Sequence, residues 1–116
     1  MAADPNEVTF NAFADRLQKK LPAINIGTIT GIISALLNLF GMCGTAAPTG
    51  AALKAMGANP TIADRVRLNM AMRQEGLRPL TPQGQAIAEA VFSTAAESSE
   101  ADLHALVSYA QANAST

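Results

Sequence analysis

"GTITGIISALLNLFGMCG", residues 27–44, lies inside a run from Leu21 to Leu53 that holds no charged side chain. Placed on a helix at about 100° per residue, Ile29, Ile32, Ile33, Leu36, Leu37, Leu39, Phe40 and Cys43 gather within an arc of about 160°. Thr30, Gly31, Ser34, Ala35, Asn38 and Gly41 take the opposite arc. The stretch therefore predicts an amphipathic helix over about 28–42, but its second face is small and weakly polar where charge is usual. Exposed helix faces carry Lys and Glu, which are solvated and gain from pairing at four-residue spacing. A helix without them is expected to be covered on both sides. Gly27, Gly31 and Ala35 also stand at the small-xxx-small spacing that lets another backbone come close.

Three things can cover such a helix: the rest of the same chain, another chain, or lipid. Lipid fits poorly. About 16 helical residues at 1.5 Å each span about 24 Å, short of the roughly 30 Å of hydrocarbon. Asn25 and Asn38 would also have to enter it. A membrane is not an expected partner.

The rest of the sequence suits a helical surround. A chain of 116 residues is one domain, 1–116, by the usual prior. It can bury roughly two thirds of its unfolded surface. Hydrophobic residues make up 49% and charged ones 15%, against about 25% in an average soluble protein, which excludes a disordered chain. Aromatics are few (Phe10, Phe13, Phe40, Phe92, Tyr109), so the core must come from Ala, Leu, Ile, Val and Met. Small side chains let helix axes approach.

Helix punctuation is legible throughout. "DPNE" sets Asp4 as N-cap, Pro5 at the first helical position and Glu7 as a capping-box acid, before Phe10, Phe13, Leu17 and Leu21. A short helix over about 48–56 closes at Gly57. Asn59 and Pro60 restart the pattern, with Ile62, Val66 and Met70 at four-residue spacing until Gly76. Thr81 and Pro82 open a helix containing Ile87 and Val91. Ser99, with Asp102 as its partner, opens the last, which carries Leu103, Leu106, Val107 and Ala110. No stretch alternates in the manner of a strand. The expected fold is all-α: a compact bundle of about six short helices around the uncharged one.

Charge and chemistry narrow the function. The net charge of −1 gives no global attraction to nucleic acid or to an anionic membrane. Lys54, Arg65, Arg67, Arg73 and Arg78 are concentrated in 54–78, whereas 79–116 holds Glu89, Glu97, Glu100 and Asp102 without Lys or Arg. One basic end and one acidic end are expected. Cys43 is the single cysteine, which excludes an internal disulfide and fits a reducing, cytoplasmic setting. "MAADPNEVTF" has no basic segment followed by an apolar one, so no signal peptide is expected. His104, the single histidine, stands one turn from Glu100 on the polar side of its helix, where such a pair reads as solvated surface. No residue spacing suits a metal or a phosphate loop. The chain is expected to be no enzyme and to carry no cofactor or metal.

The stretch 49–91 has the order of a helix-turn-helix, with a basic second helix at about 60–75. "EGLRPLTPQGQAIAEAV" resembles the segment after the recognition helix in winged-helix regulators, where Gly-Leu is followed by Leu-Thr-x-x-Gly and a helix. That resemblance implies DNA binding, with Arg65 and Arg67 toward the major groove and Lys54 and Arg73 on phosphates. No residues remain for two wing strands between Leu77 and Thr81. Arg65 and Arg67 also lie on opposite sides of the helix, two residues apart. The leading expectation is a non-enzymatic interaction or assembly module. It self-associates or docks another protein through the small face at Gly31, Ser34, Ala35 and Asn38, and DNA binding is the alternative.

Overall fold

The computed structural model describes residues 4–41 and 48–114. Most helices begin where a short polar side chain takes up an orphan backbone N–H. Asp4 Oδ1 accepts from Asn6 N at 2.9 Å, Asn25 Oδ1 from Gly27 N at 2.6 Å and Thr49 Oγ1 from Ala52 N at 3.0 Å. Thr81 Oγ1 accepts from Gly84 N and Ser99 Oγ from Asp102 N, both at 3.1 Å. The resulting elements are α1 (Pro5–Lys20), α2 (Ile26–Gly41), α3 (Gly50–Ala58), α4 (Ile62–Gln74), α5 (Pro82–Glu97) and α6 (Glu100–Ala114), with no strand among the described residues. The all-α fold expected from the sequence is the fold of the protein.

Two boundaries differ from the sequence reading. Gly57 lies inside α3, and Asn59 is that helix's C-cap. The cap of α4 is Thr61. Its hydroxyl accepts from Asp64 N at 3.1 Å while Asp64 Oδ2 accepts from Thr61 N at 3.0 Å, so two orphan donors are satisfied reciprocally. A cap at Asn59 has no such second bond. The far end of α4 closes at Gly76 as expected. Gly76 adopts φ +78°, Leu77 N reaches Met72 O and Gly76 N reaches Arg73 O, both at 3.0 Å, in a Schellman turn.

The chain folds to a radius of gyration of 13.1 Å, close to the roughly 13 Å of a compact domain this long. α2 packs against α1, α4 and α6, while α3 lies on α5 and α6. From the predicted apolar arc, Ile29, Ile32, Ile33, Leu36, Leu37 and Leu39 are buried. Phe40 is only half-buried, because it stands at the end of α2, and the Arg67 guanidinium lies 4.5 Å from its ring centroid. Cys43 and Gly44 lie outside the described residues.

A larger departure concerns α4. Ile62, Val66 and Met70, which read as its core stripe, face solvent at 84, 49 and 44% exposure. Its buried side is Asp64, Leu68, Ala71 and Met72. Charge is less segregated than expected too, since Lys54 reaches the carboxyl end of α5, inside the acidic half of the sequence.

Leu36 is 4% exposed and sits where α1, α2, α3, α5 and α6 converge on a narrow apolar hollow. Leu36→Ala should destabilise the protein by about 2–5 kcal/mol in denaturant unfolding. A loss below about 1 kcal/mol would place α2 at the periphery.

Candidate functional site

Antiparallel packing of α4 on α2 decides what happens to the small face. Glu75, at the end of α4, lies over Gly31 near the start of α2, and Arg67 lies over Phe40 at its end. A Cβ at Gly31 would meet only the tip of the exposed Glu75 side chain, which can swing aside, so Gly31 leaves room for that carboxylate without being required for α4 to pack. Ala35 is buried, and Gly31 and Ser34 are half-buried. Of the four residues expected to form an interface, only Asn38 is exposed.

The four cations of the helix-turn-helix reading point in different directions. Lys54 Nζ donates to Ser98 O at 2.7 Å and Ala96 O at 3.1 Å, at the end of α5. It stands on the same side of α3 as Gly50 and Gly57, each of which lets α3 come close. Gly50 meets the backbone of Glu100 and His104 in α6, and Gly57 meets that of Phe92 and Ala96 in α5. The stripe Gly50–Lys54–Gly57 thus seats α3 across the α5–α6 corner, away from α4. Arg67 Nη1 donates to Asp64 Oδ1 at 3.1 Å on the α2 side. Arg65 lies on the other flank, 5.4 Å from the Phe92 ring centroid in α5. Arg73 is exposed. The expected opposition of Arg65 and Arg67 across the helix axis is observed.

The sequence reading missed the surface between α4 and α5. α5 runs back beside α4, but the two helices touch little, and a groove of about 370 Å³ opens between them. Leu68, Ala88 and Phe92 give it apolar walls, Arg65 and Asn69 line it from α4, and Gln85 and Glu89 line it from α5. Pro79 and Leu80 close one end, and Leu80 stands 81% exposed on the rim. The outward stripe of Ile62, Val66 and Met70 runs along the same helix. Exposed apolar side chains are thus concentrated on the outer side of α4 and at the rim of the groove. The signal was present in the sequence: α4 carries apolar residues on two sides, and a helix with one core face can bury only one of them.

His104 is exposed on α6. Among the described residues no three His, Cys, Asp or Glu side chains stand close enough to hold a metal ion, and no helix is long and apolar enough to cross a membrane. Comparison of the chain with protein-family models, with curated proteins and with solved structures finds no match.

The Lys54 geometry separates a structural cation from a free one. Lys54→Met should cost about 1.5–3 kcal/mol, the worth of hydrogen bonds from a charged group. Arg73→Met on the outer face of α4 should stay within about 0.5 kcal/mol. Chemical denaturation of both variants checks the contrast, and equal losses would contradict the assignment of Lys54 to the end of α5.

Proposed function

We propose that this domain is a non-enzymatic interaction module and that its docking surface is the outer side of α4 together with the α4–α5 groove. One observation carries the reading: Ile62, Val66 and Met70 form an apolar stripe over three successive turns of a solvent-facing helix face. Single exposed apolar residues are ordinary. A stripe beside an open groove, with Leu80 exposed on its rim, leaves enough apolar area in water to favour a partner. The small face of α2, the surface first expected to dock, is a weaker candidate because Ala35 is buried, Gly31 and Ser34 are half-buried, and no large apolar side chain stands exposed on it.

DNA binding asks for several cations on one surface. Here Lys54 is committed to the end of α5 and Arg67 to Asp64, with Arg65 on the opposite flank. The arrangement favours a protein partner over a duplex.

A photoreactive side chain placed at Val66 tests the proposal in cells that make the protein. Irradiation should give a discrete adduct of higher mass, and the same group at exposed Gln111 on α6 should not. Glu at both 62 and 66 should abolish the interaction while changing stability by no more than about 0.5 kcal/mol per site. No adduct at Val66 would overturn the reading.

A further inference from the structure

We infer that the α4–α5 groove is covered by the same groove of a second copy of this chain, related by a two-fold axis running along it. The inference rests on reading α4 as a docking surface and names its occupant. The groove's polar rim carries the argument. Arg65 and Asn69 are four residues apart on α4, and Gln85 and Glu89 are four apart on α5, which runs the other way. Two such grooves placed face to face about an axis along their length set α4 of each copy against α5 of the other. Residues at one height then meet: Arg65 opposite Glu89 of the second copy, and Asn69 opposite Gln85 of the second copy. Each contact occurs twice.

The rim is therefore complementary to itself, cation to carboxylate and amide to amide, which is what an isologous interface requires. Among the described residues neither Arg65 nor Glu89 takes part in an ion pair within the chain, so both charges remain for the contact. At the closed end the two copies of Leu80 approach the axis together and enter the shared cavity. This gives a reason for leaving a leucine 81% exposed on a turn. A net charge of −1 offers little repulsion between copies.

Charge reversal tests the geometry with the full chain. In sedimentation or light scattering, wild type should reach twice the 12.0 kDa chain mass at micromolar to millimolar concentration. Arg65→Glu alone and Glu89→Arg alone should each weaken the dimer at least about tenfold, because each sets like charges together at both contacts. An equimolar mixture of the two variants should recover the dimer, since one copy then presents carboxylates and the other cations at both contacts. Leu80→Asp, at a side chain 81% exposed, should also give a folded monomer. A wild-type chain that stays at 12.0 kDa at millimolar concentration overturns the dimer. So does a dimer indifferent to both reversals, or reversals that dissociate it without recovery on mixing. A Val66 adduct to a different protein beside a monomeric wild type would overturn this inference and leave the docking reading standing.

Discussion

α5 ends without a basic residue in its last turn, yet its carboxyl end carries the partial negative charge of the helix dipole and unsatisfied carbonyls. The chain supplies the missing cations from elsewhere. Lys54 of α3 donates to Ala96 O and Ser98 O, and Arg16 of α1 donates to Ser98 Oγ at 2.7 Å. Lys20 of α1 pairs with Glu97 at 3.0 Å. The last of these is a surface ion pair worth little, about 0–1 kcal/mol. The first two matter more because they act at a half-buried corner where Ser98 and Thr94 are themselves buried and hydrogen-bonded. α1 and α3 both lie on α5 and α6, and side chains of all four helices line the apolar hollow that Ile33, Leu36 and Leu37 of α2 face.

Small residues make that arrangement possible. α3 can lie across the corner only because Gly50 and Gly57 hold no side chain where the backbones of α5 and α6 pass. The ammonium of Lys54, between them in sequence, then reaches carbonyls that a longer approach would leave to water. An aromatic-poor, Ala-rich composition is thus less a deficit of core material than a condition for close helix contact.

The fold was legible because its signals are local. Caps at Asp4, Thr81 and Ser99 depend on a side chain and a backbone N–H two or three residues on, and all three side chains accept that bond, although neither Glu7 nor Asp102 returns the second bond of a capping box. Thr61 was hidden by Asn59–Pro60, an equally good start by residue type; only Asp64, three residues on, distinguishes it by closing a second hydrogen bond. The site was less legible because it is not local. Four-residue spacing marks Ile62, Val66 and Met70 as a stripe but cannot say which stripe of a doubly apolar helix is covered. Lys54 looked like a phosphate contact because nothing in its neighbourhood along the chain shows that residues 96 and 98 lie within its reach.

The uncharged helix and the exposed stripe are two aspects of one constraint. α2 offers no charge on either face, and α4 packs against it, with Ala35 buried, Gly31 and Ser34 half-buried and Asn38 exposed. To do so α4 needs an apolar inner side, which Leu68, Ala71 and Met72 provide. A helix in that outer position would normally turn Lys and Glu to water. Instead it turns Ile62, Val66 and Met70 outward, with Arg65 and Arg73 among them. Covering α2 alone does not call for those three residues, because a polar outer face would cover it equally well and leave the chain more soluble. The requirement for cover has been passed outward by one layer, from a helix whose second side is partly covered by its own chain to one whose outer side carries a bare apolar stripe.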